Sequence, residues 1–295
     1  MLRLGVIGLS AGNGHPYSWS AICNGYDPVA MARCPFPAIP AYLAERAWPQ
    51  DRLQGAVVTH VWTQDATLSA EIAAATHIAT VVHDWRDMLG TVDGILLARD
   101  DAENHAGFAL PILEAGLPVY IDKPLALNLG AADHLLGAER WPGQIFAGSA
   151  LSHAEELQLT GTQRAALGAI RHVEAATPKY WPTYAVHLIE PALAILEQDA
   201  FPSATTVLHS EDRTMATASF PDGTSLGLAC LGSLPSPIAF RIFGSAGMIE
   251  LRFRDSFTAF RTALQRFVDG VRLRRRMFDA NRIRISAALI EAGMA

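Results

Sequence analysis

Short apolar runs alternate with amphipathic stretches along the first half of the chain. The runs at 4–7, 55–62, 79–82, 92–98, 117–121 and 144–149 have the length of buried strands. Between them, 66–76 places Leu68, Ile72 and Ala75 at helical spacing, 83–89 reads as a helix turn, 106–115 is a helix stopped by Gly116, and 129–138 is another. Strands and helices in this alternation predict β-α-β units around a parallel sheet, a doubly wound α/β domain reaching to about residue 150.

The pattern then changes. Residues 169–176 alternate in part, as a half-buried strand does, and a loop at 177–182 leads to a helix at 183–198. Five further β segments follow, at 205–210, 214–220, 225–231, 239–243 and 248–251, with hairpin-type turns at 221–223 and 244–247. This predicts an antiparallel meander with one face free to pack on another sheet. Helices near 257–273 and 281–292 close the chain. The domains are therefore expected at 1–125, with a crossing helix and strand at 126–150, and at 151–295, the latter an α+β domain with a largely antiparallel open sheet.

Composition narrows the function. Of 295 residues, 50% are hydrophobic and 18% charged, enough to bury a sizeable core. The net charge of -6 argues against nucleic acid or an anionic membrane as partner. No apolar run approaches the ~20 residues of a membrane span. The start reads directly as a strand rather than a signal peptide, and Cys23, Cys34 and Cys230 show neither metal-ligand spacing nor an even-numbered framework. A reducing cytoplasm is the expected setting, and no metal site is expected.

The first strand runs into Gly8-Leu-Ser10-Ala-Gly12-Asn13-Gly14, a glycine-rich turn of the kind that lets backbone N–H groups approach a phosphate. It departs from the G-x-G-x-x-G fingerprint, with Ser10 and Asn13 where the second and third glycines belong. Asp65 is the acid within reach of the second strand's end, where a ribose hydroxyl is held in such domains. No arginine stands there for a 2′-phosphate, so NAD is favoured over NADP. The proline-punctuated stretch 25–52 reads as an insertion, with a flap over the site as the alternative and a short helix at 38–47.

Asp122-Lys123-Pro124 follows the strand at 117–121. Pro124 cannot donate to a sheet ladder, so the strand stops and leaves Lys123 at its carboxyl end, the ligand edge of an open parallel sheet. Downstream, His187 stands on a helix otherwise apolar at Val186, Leu188, Ile189 and Leu193.

In this order the parts resemble the glucose–fructose oxidoreductase / inositol dehydrogenase (Gfo/Idh/MocA) family of NAD(P)-dependent oxidoreductases. The matching features are the 92–98 strand followed by His105, a strand ending in Asp122-Lys123-Pro124 where the family has Glu-Lys-Pro, the helical His187, the Phe220–Gly223 turn and the Phe243–Gly247 segment. The resemblance implies a Rossmann-type domain binding NAD or NADP. It also implies a second domain for a sugar-like substrate and for assembly into a homodimer or homotetramer, and an enzyme moving hydride between nicotinamide and a hydroxyl or keto carbon of a sugar or cyclitol. A dinucleotide sensor without turnover, or an NAD-assisted glycosidase or lyase, are the alternatives. Lys123 and His187 are expected to face the reacting oxygen across a cleft between domains. Thr183 stands where many members carry an aspartate, which makes Tyr184 or Tyr180 a substitute proton donor. Gly8, Ser10, Gly12, Asn13, Gly14, Asp65, Asn104, His105, Asp122 and Lys123 are the expected cofactor-binding residues. Asp122 would orient Lys123 or a backbone turn, and His15, Tyr17 and Trp19 either line the site or pack the first helix.

Overall fold

Six strands of the first half form a sheet in which every pair is parallel: β1 (Leu2–Ile7), β2 (Ala56–Trp62), β3 (Thr80–Val81), β4 (Gly94–Leu97), β5 (Val119–Ile121) and β6 (Ile145–Phe146). Their order is β3-β2-β1-β4-β5-β6. Sequence order reverses between β1 and β4, the point at which doubly wound sheets bind ligands beyond the strands' carboxyl ends. The computed structural model describes residues 1–295 and divides into two compact units. The first gathers Met1–Asp122, Leu135–Ala147 and Phe260–Phe278, and the second Lys123–His134, Gly148–Ala259 and Asp279–Ala295.

In the first unit, β4 and β5 are buried at every position, as strands covered on both faces must be. Leu4, Val6 and Ile7 of β1 are fully enclosed. Trp19 stacks on Tyr120 at 4.5 Å between ring centroids, and each such aromatic burial contributes roughly 1.5–3 kcal/mol. The expected strands at 79–82 and 144–149 are shorter than read, two residues each. Beyond the second, Gly148 at φ +108° turns the backbone out of extended geometry.

The second unit holds β7 (Ile170–Thr177), β8 (Ala204–Ser210), β9 (Arg213–Ser219), β10 (Ser225–Cys230), β11 (Ala239–Gly244) and β12 (Met248–Arg252), in the order β12-β11-β7-β10-β9-β8. The sheet is largely antiparallel, as expected, but it is not a simple meander. β7 lies between β10 and β11 and pairs with β10 in parallel. Residues 231–238, broken by Pro235 and Pro237, are poorly suited to a tight hairpin and lead the chain past β7 instead. Val173, Leu226, Phe240 and Ile242 are buried on one face, and the helix Val186–Leu196 packs against β7.

The helix expected at 183–198 is two pieces, Trp181–Tyr184 and Val186–Leu196. Pro182 presets the first turn. Pro191 denies the His187 carbonyl its intrahelical donor, and Glu197 at φ +56° ends the second piece. The helix Gly161–Leu167, not apparent from apolar spacing, begins with a reciprocal cap between Thr160 and Gln163. No helix is long and apolar enough to cross a membrane.

Candidate active site

The glycines after β1 serve different ends. A Cβ on Gly8 would lie 2.3 Å from Pro16 Cγ, and one on Gly14 would lie 2.5–2.7 Å from Ile39 and the Phe36 ring. The 25–52 insertion is thus packed onto the loop, and glycine is needed at Gly14 for that close approach. Gly12 differs: at φ +78° its missing Cβ would meet nothing within 4 Å, so its backbone is open. The N–H groups of Ala11, Gly12 and Gly14 have no acceptor within the protein. Open backbone and unused donors between β1 and the helix His15–Asn24 fit a bound pyrophosphate.

Side chains fasten this loop. Ser10 Oγ donates to Asp100 Oδ1 at 2.5 Å and accepts the Asp100 N–H at 3.0 Å, bridging the loops that follow β1 and β4. Asn13 Nδ2 donates to Asp122 Oδ2 at 2.8 Å, and its Oδ1 accepts the His15 N–H. His15 Nδ1 lies 2.5 Å from the same Asp122 oxygen, and its ring stacks on Trp19 at 5.0 Å. The Asp122 carboxylate therefore faces the glycine loop.

At the end of β2, Asp65 caps the helix Ala66–Ala75, accepting N–H bonds from Thr67 and Leu68 on Oδ1. Its neighbour Gln64 grips the loop, accepting from the Leu9 N–H and donating to the Leu9 carbonyl at 2.6 Å. Arg99 reaches Gln64 with one nitrogen but spends two on Asp101, which Asn104 also contacts. Burial pushes the Asp101 carboxyl up, and bonds from Arg99 and Asn104 outweigh it and hold it below the usual range. His105 is fully buried with Nε2 on the Arg99 carbonyl at 2.7 Å.

A second cluster forms wholly within the second unit. Lys123 is 5% exposed, donates to the Thr183 carbonyl at 3.4 Å and lies 5.2 Å from the centre of the Tyr184 ring. Lys179 approaches the same ring at 4.6 Å. Tyr184 meets His187 edge to face at 5.1 Å. Tyr180 is 54% exposed. His187 Nδ1 pairs with Ser149 Oγ at 2.7 Å, and Ser149 donates its N–H to Glu190 Oε2 at 2.6 Å. Burial pushes the Glu190 carboxyl up to about 7, against the Ser149 N–H, which pulls it down. A lysine, a phenol and an imidazole in one cluster can hold an oxygen and exchange its proton.

Ser149, Lys179, Asp100 and Gln64 were not singled out in the sequence. Ser149 carried a signal, being the last residue of an apolar run whose neighbours end at the same edge. Gln64 carried one too, standing beside the acid sought at the end of β2.

Residues 41–147 match the model of a family described as "Oxidoreductase family, NAD-binding Rossmann fold". A protein of Amycolatopsis mediterranei that carries the provisional name UDP-kanosamine synthase oxidoreductase subunit is 36% identical over 69 residues, 23% of this chain. That stretch takes in only 19% of the relative's own length. Among solved structures, myo-inositol 2-dehydrogenase from Lactobacillus plantarum superposes with a TM-score of 0.76 at 16% identity, over 99% of this chain and 96% of that one. GenD2 of gentamicin A biosynthesis, solved in complex with NAD, gives 0.75 at 16% identity, over 99% and 93%. At such identities these two likenesses speak to the fold.

Proposed function

We propose that this chain, whose residues 41–147 match the model of an oxidoreductase family with an NAD-binding Rossmann fold, is an NAD(P)-dependent dehydrogenase acting on a secondary hydroxyl, or the matching ketone, of a sugar, cyclitol or sugar derivative. The observation that carries this reading is the cluster of Lys123, Tyr184 and His187 within one unit; the glycine loop of the other unit, whose N–H groups suit a dinucleotide, supports it. The names of the relatives, an inositol dehydrogenase and a nucleotide-sugar oxidoreductase subunit, support the substrate class.

Gly12, with the free amides of Ala11 and Gly14, would hold the pyrophosphate. NAD is favoured over NADP because Arg99, which reaches Gln64 at the end of β2, is neutralised by Asp101. When bound, the nicotinamide supplies the hydride acceptor or donor. Lys123 Nζ donates to the substrate oxygen and, as a cation, stabilises negative charge growing there. His187 Nε2 takes the hydroxyl proton during oxidation and returns it during reduction. The Ser149 hydroxyl both donates and accepts, so His187 keeps its Nδ1 partner in either protonation state. Tyr184, packed between Lys123 and His187, fixes their separation and stands in the place of a relay acid.

The outer face of the second sheet carries Ala176, Met215, Gly227 and Ala229 among Glu174, Arg241 and Arg252, a face suited to a second copy of the chain. The deciding experiment is a fluorescence titration with NADH and NADPH followed by assays over a panel of cyclitols and sugar nucleotides. Binding of one dinucleotide and turnover lost in Lys123→Ala are expected. A chain that binds neither dinucleotide refutes the reading.

A further inference from the structure

The fingerprint glycine that Asn13 replaces normally secures a phosphate loop by close helix packing. Here the loop is held otherwise. Asn13 is 4% exposed, Asp122 2% exposed, and the two meet across 109 residues of sequence. His15, at the first position of the helix after the loop, reaches the same Oδ2. Asn13 Oδ1 in turn accepts the His15 N–H, so the three side chains close a ring of bonds around one buried oxygen. We propose that Asp122 is a positioning residue, a latch that holds the 8–15 loop in its dinucleotide-receiving shape through Asn13 and His15.

Three features support a latch over incidental packing. A buried carboxylate is costly without donors, and the Asn13 amide and the His15 ring both offset that cost at Asp122. A carboxylate only accepts, so His15 must keep its proton on Nδ1, and the ring cannot reverse its bonds. The Asp122 N–H is itself fixed to the Leu97 carbonyl of β4, so the anchor point belongs to the sheet rather than to a mobile turn. The loop's open atoms, at Ala11 and Gly12, lie directly before Asn13, so loosening Asn13 displaces the donors meant for phosphate.

This inference rests on the dinucleotide reading above, and the test separates the two. In the protein without cofactor, amide hydrogen exchange over 9–15 should quicken at least tenfold in Asp122→Ala and in Asn13→Ala, and remain near wild type in Asp122→Asn, whose amide oxygen still accepts. Should Asp122→Ala fail to fold, Asn13→Ala carries the same reading. In fluorescence titrations, Asp122→Ala and Asn13→Ala should each weaken NADH binding about tenfold or more. The double variant should be no worse than threefold beyond Asp122→Ala, because both break one ring. In turnover, the loss should fall on KM for the dinucleotide more than on kcat. Unchanged exchange over 9–15 in both alanine variants overturns the latch, as does a loss confined to kcat. Quickened exchange in a protein that binds neither NADH nor NADPH supports the latch and refutes the dehydrogenase reading.

Discussion

Two histidines, one in each unit, are held by their Nδ1 atoms and yet are tied to different things. His15 faces the Asp122 carboxylate, which can only accept, so Nδ1 keeps its proton and the ring fastens the glycine loop just past β5. His187 faces the Ser149 hydroxyl, which can donate or accept, and packs against the Tyr184 ring that Lys123 also approaches. An Nδ1 bond of either kind is compatible with proton exchange at Nε2, so neither residue type nor the Nδ1 partner marks a proton carrier. The groups around each ring distinguish the two.

The sharpest way to break this contrast is to remove each ring. His187→Ala should lower kcat by about 10²–10⁴ with dinucleotide affinity kept, while His15→Ala should reverse the pattern, chiefly weakening affinity. Steady-state kinetics beside NADH titrations read both, and equal kcat losses would dissolve the distinction. Glu190, which accepts the Ser149 N–H, gives the next effect. Its folded value of about 7 lies above the ordinary 4.5, so the folded state retains a proton that the unfolded state gives up. Stability from this group is fully present below pH 4.5 and is lost as pH climbs through 7, in all roughly 3 kcal/mol. Denaturant melts at pH 5 and pH 8 should show that decline in wild type and its absence in Glu190→Gln, whereas parallel behaviour would mean that the carboxyl is not held neutral. Ser149→Ala should then cost about five- to tenfold in kcat, the worth of one hydrogen bond of about 1 kcal/mol, and Ser149→Thr should recover most of it. A Ser149→Ala enzyme with wild-type kcat and pH profile would show that the hydroxyl is a bystander. Smallest in its effect on chemistry, Ala229→Arg on the outer sheet face should lower the mass seen by light scattering while each copy still binds dinucleotide.

The parallel sheet was legible because its strands are apolar throughout, as in 92–98 and 117–121, and Lys123 was legible because a proline follows it. The partners that give the site its chemistry were not. Asn13 and Asp122 are separated by 109 positions, and Ser149 and His187 by 38, so no local period records either pair. Asp65 shows how one position can carry two meanings, ribose ligand and helix cap, and a following helix at 66–76 already offered the cap. The order of the second sheet escaped because turns predict which strands are consecutive, not which strand is inserted between them, and β7 arrives from far upstream.

That insertion of β7 has a consequence in time. A ribosome that has released β7 has given it no neighbour, since its partners begin at Ser225 and Ala239. The first unit waits longer still, for Phe260–Phe278, and the second for Asp279–Ala295. Neither unit can finish folding during synthesis of the first 259 residues. The second sheet therefore stays incomplete until β12 is made, the condition under which unpaired strands most need protection from aggregation.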